Sequence, residues 1–362
     1  MKKYLLPTYP VQSDMWDALA LEKRPIMVYG MGNGADKLFR RFELFGIEVK
    51  EVFASDGFVR GHSFRGYKVK SFSEIKEKYS DFVIVLSFAS NREEVMEMFA
   101  QIDSSYDMYV PDMPVADESD YFDKTHYNEN YADILRTYES LCDEESKNIY
   151  AAVVNYKLSG RISYLLDAYT NKEDMYELIK TKDVSLMIDG GAYNGDTARE
   201  AIEYFPSLSK VYAIEPDPKT FKRLVKYADQ TDGKVVPINA ALYSENRDGA
   251  FFASGNRNST VSATASYENS CQNMSFVTVD SLGLVPDYIK YDVEGAEYEA
   301  ILGSLETVKK ARPMLLVSLY HRSKDIYFLP KILSEKFEGY RYYLRRLKSV
   351  PAWELNLILI PT

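Results

Sequence analysis

The chain has 362 residues, of which 46% are hydrophobic and 27% are charged, so it should hold two domains or one large domain with an appendage. This composition excludes a disordered or collagen-like chain. Its 54 Asp and Glu outnumber its 44 Lys and Arg, and the net charge of −10 argues against nucleic acid as a partner. Cys142 and Cys271 stand far apart, which excludes a disulfide framework and a thiolate zinc site and indicates a cytoplasmic protein. No apolar run approaches the ~18 residues of a membrane span, so we expect no membrane insertion.

The first elements along the chain alternate between strand and helix. The strand IMVYG is followed by the turn MGNGA, the amphipathic helix DKLFRRFELFG and the strand VKEVFAS. A further apolar run from Phe82 to Phe88 precedes a second helical pattern, and the short strand DMYVP ends at Pro111. We therefore predict a small Rossmann-like α/β domain with a parallel sheet over residues 1–115.

Residues 116–182 differ in character, because Tyr, Leu, Ile and acidic residues recur at helical spacing and Gly160 is the one glycine. This pattern predicts a helical connector. Over residues 183–362 the alternation resumes, with strands at SLMIDGG, KVYAIEPD, VVPINAALY, DYIKYDVEG and MLLVSLYH. The last two apolar runs, YRYYLRRL and AWELNLILIP, lie too close together for a helical crossover, so we expect them to pair antiparallel.

A polar stretch between Tyr243 and Val277 interrupts this second alternation. It is rich in Ser, Asn, Thr and Ala. We expect a short edge strand there, followed by a mobile loop near the functional site.

Two segments place polar residues where strands end. MIDGGAYNGDTARE has Asp189 at a strand end, then glycines, and Asp196 at the start of a helix, whose N-terminus offers free N–H donors. The dinucleotide pattern G-x-G-x-x-G is absent, because Tyr193 and Asn194 occupy the turn. The next strand ends at Glu215, a carboxylate suited to both ribose hydroxyls of a nucleoside. Taken alone, a helix cap and a solvated strand end explain these two segments equally well.

A third segment, DYIKYDVEGAEYEAILG, carries Lys290, Asp292 and Glu294 at alternating positions before a turn at Gly295. Carboxylates at the end of a central strand lie where doubly wound sheets bind ligands, and they are costly as mere filler. Together the three segments resemble the FkbM family of S-adenosylmethionine-dependent methyltransferases over about residues 183–362. The resemblance implies a class I methyltransferase sheet, Rossmann-like with an antiparallel last strand.

The resemblance also implies which residues serve the cofactor S-adenosylmethionine. The loop after the first strand would wrap its methionine end, Glu215 would hold the ribose, and the end of VVPINA would lie near the adenine. Asp292 would face the methionine amino group or the reacting centre. The cofactor-binding residues implied in this way are Asp189, Gly191, Asn194, Gly195, Asp196, Thr197, Glu215, Asn239, Ala240 and Asp292.

The strand that ends in SLYHR provides His321. An ordinary histidine pKa of ~6.5 leaves a neutral imidazole that suits removal of a proton from an attacking hydroxyl. We therefore take His321 as the general base, with Asp292 and Glu294 as further catalytic residues. Two alternatives stay open: a histidine that only caps the strand end, and a magnesium site built from the same three residues. The metal ranks second, because the spacing shows no dedicated ligand motif.

The glycine-rich loop near the start of the chain has its own resemblance. Gly30, Gly32 and Ala35 follow the order G-x-G-x-x-A, and Asp56 comes about twenty residues later. With SDG, RGYKV and SFASNREE, the stretch resembles the small nucleotide-sugar-binding domain at the front of some bacterial sugar acetyltransferases. We favour a degenerate Rossmann-like module for dimerisation or substrate presentation, because loop motifs of this kind often arise by chance.

The sequence thus predicts an S-adenosylmethionine-dependent O-methyltransferase that acts on a hydroxyl of a sugar or glycan precursor. The alternatives are a magnesium-assisted O-methyltransferase and a non-catalytic regulatory protein that binds nucleotide-sugar and S-adenosylmethionine. An NAD-dependent sugar enzyme is disfavoured, because we identify no catalytic Tyr and Lys or Cys groups downstream of the first loop. The expected partners are a small-molecule or glycan acceptor and a second copy of the chain in a homodimer.

Overall fold

The computed structural model describes residues 2–59, 61–116, 120–180, 183–252 and 271–362. It has the predicted α/β architecture, with two main sheets and a run of helices between them along the chain. Parallel strands need helical crossovers, so the alternation of apolar strands and amphipathic helices in the sequence leads to this arrangement. Within these residues, no helix combines the length and the apolar character needed to cross a membrane.

The first part of the chain folds around a five-stranded parallel sheet. Its elements are α1 (Met15–Leu21), β1 (Ile26–Tyr29), α2 (Asn33–Phe45), β2 (Val49–Ala54), β3 (Ser63–Phe64), β4 (Tyr67–Lys68), β5 (Lys70–Ser71), α3 (Phe72–Lys78), β6 (Val83–Leu86), α4 (Glu93–Ser105) and β7 (Asp107–Tyr109). The strand order is β5-β2-β1-β6-β7, and the pairs are parallel. Every residue of β1 and β6 is buried, as expected for the centre of a parallel sheet.

A run of helices follows the first sheet, as predicted. They are α5 (Lys124–Glu129), α6 (Tyr131–Ser140), α7 (Glu144–Ser159), α8 (Ser163–Asp167) and α9 (Lys172–Ile179). The longest, α7, ends at Gly160 in left-handed backbone. Buried residues of the first sheet, of α7 and of the second sheet, such as Met27, Tyr150 and Leu344, belong to one continuous core. The predicted domain boundaries therefore stay a prediction, since this core runs across them.

The second main sheet has seven strands. The elements of this part are β8 (Leu186–Gly190), α10 (Asp196–Tyr204), β9 (Lys210–Ile214), α11 (Pro218–Ala228), β10 (Val235–Ile238), β11 (Ala241–Leu242), β12 (Arg247–Phe252), β13 (Cys271–Val277), β14 (Tyr288–Tyr291), α12 (Glu297–Leu302), α13 (Leu305–Ala311), β15 (Met314–Ser318), α14 (Asp325–Lys336), β16 (Tyr340–Arg346) and β17 (Leu355–Pro361). The strand order is β10-β9-β8-β14-β15-β17-β16. The last strand, β17, runs antiparallel to both of its neighbours, which confirms the pairing predicted for the last two apolar runs.

The polar stretch between Tyr243 and Val277 contributes to a small separate sheet. Here β13 pairs parallel with β11 and antiparallel with β12. The strand β12 agrees with the predicted edge strand, whereas β13 was not anticipated. Much of the loop expected after β12, at 253–270, lies outside the described residues.

Candidate functional site

A cavity of about 390 Å³ lies at the carboxyl ends of the central strands of the second sheet. The loops that follow β8, β9 and β14 contribute to its wall. The strand order reverses between β8 and β14, and doubly wound sheets bind ligands at such a switch point, where neighbouring loops diverge. The position of the cavity therefore follows from the topology of the sheet.

The predicted site residues divide evenly between those that line the cavity and those that do not. The lining residues are Gly191, Asp196, Thr197, Glu215, Asp292 and Glu294. The other predicted residues do not line it; they are Asp189, Asn194, Gly195, Asn239, Ala240 and His321. They nevertheless lie at the carboxyl ends of β8, β10 and β15 or in the loops that follow these strands.

The loop after β8 passes very close to the end of β14. Gly191 has a φ of +79°, and a Cβ built on it would lie 1.8 Å from the backbone oxygen of Asp292. Gly195, the N-cap of α10, has a φ of +87° and abuts the ring of Tyr227. Glycine is therefore required at both positions, because a side chain would push the loop off β14 or displace the start of the helix.

Glu215 is fixed in the cavity wall by the backbone around it. Its two carboxylate oxygens accept the N–H groups of Tyr193, at 2.9 Å, and Asp217, at 2.7 Å. Burial raises the pKa of Glu215 to about 7, although these two hydrogen bonds act to lower it. Each oxygen keeps a further lone pair for a ligand. The carboxylate is thus aimed at the cavity and available to accept hydroxyl donors.

The end of β10, where the adenine is expected, braces the neighbouring loop. Asn239 Nδ2 donates to the backbone oxygens of Glu215, at 2.9 Å, and Pro216, at 3.2 Å, so this side chain braces the loop after β9. Ala240 is buried. The next two residues, Ala241 and Leu242, line the cavity instead. The placement of Asn239 and Ala240 near the adenine stays a prediction.

A buried lysine links two of the predicted carboxylates. Lys290 Nζ donates to Asp292 Oδ2 at 2.8 Å and lies 3.9 Å from Asp189 Oδ1. Asp189 is fully buried, and burial raises its pKa to about 6 against the opposing charge of Lys290. Burial also acts to raise the pKa of Asp292, but the charges of Lys290 and His321 outweigh it and hold that pKa below its ordinary value. Asp292 therefore presents a fixed negative charge to the cavity.

His321 is enclosed by carboxylates. Its Nδ1 lies 2.8 Å from Glu297 Oε1, and its Nε2 lies 3.5 Å from Asp292 Oδ1 and 3.5 Å from Glu294 Oε2. The side chain is 0% exposed. Burial alone would lower its pKa, but Glu297, then Glu294 and Asp292, raise it to about 10. This pKa differs from the neutral imidazole expected from the sequence, which did not take the buried Glu297 into account, and the role of His321 as general base stays a prediction.

Glu294 is the member of this cluster that faces the cavity in strained backbone. Its φ is +54°, in the left-handed region that a non-glycine residue rarely adopts and that is often found at functional sites. Burial raises the pKa of Glu294 to about 8, although the charge of His321 opposes this. Glu294 therefore combines access to the cavity with a pKa close to neutrality.

The magnesium alternative finds no support in this geometry. In the part of the chain that the structure describes, no group of three or more His, Cys, Asp and Glu side chains could hold a metal ion. The imidazole that would have been a ligand lies between Asp292 and Glu294 and carries a proton on each nitrogen when charged, so it has no lone pair to offer. The same two carboxylates are turned towards that cation.

The far side of the cavity is built from segments that the sequence did not connect with the site. Asn91 comes from the loop after β6, and Lys172 and Tyr176 come from α9. Lys348 lies in the turn between β16 and β17, and Asn356 lies in β17. The segment SFASNREE was singled out in the sequence, but for a different ligand. Only the fold brings it to this cavity.

Two kinds of contact hold the loop after β6 against the turn between β16 and β17. Ser90 and Val350 exchange backbone hydrogen bonds of 2.8 and 2.9 Å. Lys348 Nζ donates to Glu93 Oε1 at 2.6 Å. The first sheet thus contributes a wall of the cavity.

Comparisons with known proteins bear on the identity of the second sheet and its loops. Residues 189–347 match the family model of the methyltransferase FkbM domain. This segment of the chain is therefore similar to the methyltransferase FkbM domain. A hexuronic acid methyltransferase, AglP of Haloferax volcanii, is 30% identical over 135 residues, which make up 35% of this chain and 54% of that protein. The chain thus spans about half the length of this curated relative.

A solved structure extends the likeness to the rest of the chain. The methyltransferase FkbM of Methylobacillus flagellatus KT superposes with a TM-score of 0.70 and 17% identity, covering 98% of this chain and 94% of that one. At this identity the likeness concerns the fold, which therefore includes the first sheet and the connecting helices. The resemblance of the first sheet to a nucleotide-sugar-binding domain stays a prediction.

The segment that matches the FkbM model does not account for the whole cavity. Gly191, Glu215 and Asp292 lie within the matched segment, whereas Asn91, Lys172 and other residues of the far side lie outside it. The cavity is therefore lined partly by the matched segment and partly by the rest of the chain.

Proposed function

We propose that the chain transfers a methyl group from S-adenosylmethionine to a hydroxyl group of a sugar-like acceptor. The observation that carries this proposal is the Glu215 carboxylate, held in the cavity wall by two backbone N–H groups beside the glycine loop after β8. A fixed carboxylate with lone pairs to spare suits both ribose hydroxyls of a nucleoside. The name of the Haloferax volcanii relative supports a sugar-like acceptor.

The residues around the cavity fit the cofactor. Gly191 lets a ligand approach the backbone, and the N-terminus of α10 brings the positive end of its dipole to the cavity at Asp196 and Thr197. Asp292 would bind the methionine ammonium group or lie at the reacting centre. When bound, S-adenosylmethionine supplies a methyl group on a positively charged sulfur, which an oxygen nucleophile can attack. The fixed negative charge of Asp292 at the cavity wall suits such a cation.

The work left to the protein is alignment, exclusion of water and removal of one proton. Alignment of the attacking oxygen with the methyl group can supply much of the rate enhancement. The far side of the cavity, with Asn91, Lys172, Lys348 and Asn356, offers amide and ammonium groups that suit a hydroxyl-rich acceptor. Since these residues lie outside the matched family segment, we assign acceptor selection to them.

Calorimetric titration of the full chain tests the cofactor assignment. We expect S-adenosylhomocysteine to bind and S-adenosylmethionine to compete with it, whereas NAD and a UDP-sugar displace neither. Binding of NAD or of the UDP-sugar that is lost in a folded Glu215→Gln variant would contradict the proposal. Binding of S-adenosylhomocysteine without transfer to any acceptor would instead favour a regulatory S-adenosylmethionine-binding protein.

A further inference from the structure

One carboxylate oxygen, Glu297 Oε1, makes three contacts at the centre of the site. It accepts the N–H groups of Val293, at 2.9 Å, and Gly295, at 3.4 Å, and it lies 2.8 Å from His321 Nδ1. Glu297 is 1% exposed and begins α12. A buried carboxylate that ties a turn to an imidazole is costly to bury unless its partners are all in place.

The turn that Glu297 ties down is the one that carries Glu294. The two N–H groups that Glu297 accepts belong to the residues on either side of Glu294. On the other side of the turn, Arg322 Nε donates to the backbone oxygen of Gly295 at 3.0 Å. The left-handed backbone of Glu294 is therefore held from both sides, as a strained conformation at a functional site requires.

The imidazole of His321 connects the same two carboxylates through its ring. Nδ1 faces Glu297, and Nε2 faces Glu294 Oε2 at 3.5 Å. With no exposed surface, the ring cannot reach an acceptor in the cavity. It can, however, keep the side chain of Glu294 at the cavity wall by its charge.

We propose that Glu297 and His321 are positioning residues that hold Glu294 at the cavity wall, where its carboxylate receives the hydroxyl proton of the acceptor. This inference rests on the proposed function. In the reaction, the hydroxyl oxygen forms a bond to the methyl carbon while the bond from that carbon to sulfur breaks. The electron pair of the broken carbon–sulfur bond stays on the sulfur, which becomes the neutral thioether of S-adenosylhomocysteine. The proton of the hydroxyl group passes to Glu294.

The other carboxylates near the ring are already engaged. Asp292 accepts from Lys290 at 2.8 Å and from the hydroxyl of Tyr320 at 3.0 Å. Asp325 is buried and accepts the N–H of Arg322 at 2.9 Å. Among the described residues, none donates a hydrogen bond to the carboxylate of Glu294, which lines the cavity. It is thus the carboxylate of this cluster best placed to accept a proton.

The acid–base behaviour of the cluster agrees with this division. Burial raises the pKa of Glu294 to about 8, so the carboxylate is a stronger base than an ordinary one and still ionises near neutral pH. His321 stays charged until about pH 10 and so has no lone pair with which to take a proton. The groups that face His321 are Glu297, Glu294 and Asp292, with Asp325 behind Glu297.

A nuclear magnetic resonance titration of the full chain, with histidine labelled in its ring carbons, tests the ion pair without any ligand. The chain has three histidines, so His62→Gln and His126→Gln variants assign the third signal to His321. We expect the His321 ring to remain protonated from pH 6 to above pH 8. In Glu297→Gln its pKa should fall towards the ordinary ~6.5. The matched control is Glu299→Gln on the same helix, which should leave the His321 titration unchanged.

The wild-type titration decides the ion pair even where Glu297→Gln fails to fold. A His321 that loses its proton near pH 6.5 in the wild-type chain would overturn the proposal. A folded Glu297→Gln variant with an unchanged His321 titration would do the same. The Glu294→Gln variant gives a second reading, because removal of that charge should also lower the His321 pKa.

The role of Glu294 is tested by the pH dependence of methyl transfer from labelled S-adenosylmethionine to a sugar and glycan extract. In the wild type we expect kcat/KM to rise with pH through about pH 8. Glu294→Gln should lower kcat/KM by ~10²- to 10⁴-fold. His321→Gln should keep a rise of kcat/KM with pH. A rise of kcat/KM with pH that survives in Glu294→Gln and disappears in His321→Gln would overturn the assignment of Glu294 as the proton acceptor. Absence of transfer altogether would contradict the proposed function, while the ring titration would still decide the ion pair.

Discussion

The protonation of Glu215 should be visible in the binding of S-adenosylhomocysteine. Burial raises the pKa of this carboxyl group to about 7 in the free protein. A pKa of about 7 leaves the group about 90% protonated at pH 6 and about 10% protonated at pH 8. If the ribose hydroxyls bind the carboxylate, the proton must leave before or during binding. The affinity for S-adenosylhomocysteine should therefore fall as the pH falls through about 7. A basic group that binds in its charged form would show the opposite trend.

The size of this effect follows from the same pKa. Binding should release about 0.9 proton at pH 6 and about 0.1 proton at pH 8, and the affinity should be about tenfold weaker at pH 6 than at pH 8. Asp189, whose pKa burial raises to about 6, adds at most a factor of about two at pH 6. Most of the pH dependence is thus assigned to Glu215.

Calorimetry at pH 6, 7 and 8, in pairs of buffers with different ionisation enthalpies, measures both the affinity and the released proton. Glu215→Gln should bind ~1.5 to 3 kcal/mol more weakly at pH 8, because charge-assisted hydrogen bonds to the ribose are lost. Its affinity should also change little with pH. The matched control is Glu203→Gln, an exposed position on α10, which should behave as wild type. Equal proton release by the wild type and Glu215→Gln would refute the assignment of the ribose to Glu215.

Three further predictions concern the glycine loop, the metal and the far wall of the cavity. Gly191→Ala should lower the free energy of unfolding, measured in urea, by ~3 kcal/mol or more, because the added Cβ would meet the backbone oxygen of Asp292. Gly57→Ala is the control and should lower it far less, because no atom lies within 4 Å of the added Cβ. EDTA should leave the rate of methyl transfer unchanged, and a loss restored by magnesium would revive the metal-assisted alternative. Asn91→Ala should raise the KM for the acceptor several-fold and leave the affinity for S-adenosylhomocysteine unchanged. Gln101→Ala, at an exposed position of α4, should alter neither quantity. A lower affinity for S-adenosylhomocysteine in Asn91→Ala would contradict a wall that serves only the acceptor.

The strands of the two main sheets were predictable because the signals are local. Apolar runs such as those of β1 and β6 are continuous and bounded by glycine or polar residues, which is typical of buried parallel strands. The three polar segments also identified the strand ends that form one side of the cavity. Glu215, Asp292 and Glu294 line it as expected. Residues close in sequence to a strand end are constrained by that strand, so their position needed little tertiary information.

The protonation of His321 could not be predicted in the same way. The sequence indicated that His321 belongs with Asp292 and Glu294, and the structure brings these residues together. The state of the ring depends on Glu297, which reaches it only because the turn at residues 293–295 folds the start of α12 back towards β15. The motif E-G-A-E contains both Glu294 and Glu297, but only the geometry of the turn shows that Glu297 contacts His321.

The far wall of the cavity depends on contacts between distant parts of the chain. Asn91 and Asn356 are separated by more than two-thirds of the chain, yet both line the cavity. Their approach is set by the pairing of Ser90 with Val350, in which backbone groups make the contact. Backbone pairing of two loops leaves no pattern of residue types, so the sequence could not indicate this wall.

Methyl transfer itself is the most direct test of the account. The full chain is incubated with S-adenosylmethionine labelled in its methyl group and with a pool of sugars, sugar nucleotides and glycans, and the products are analysed by mass spectrometry. We expect labelled methyl ethers on sugar hydroxyl oxygens, together with one S-adenosylhomocysteine for each methyl group transferred. Label on nitrogen, carbon or sulfur, or a protein that binds S-adenosylhomocysteine but transfers no label to any sugar, would contradict it.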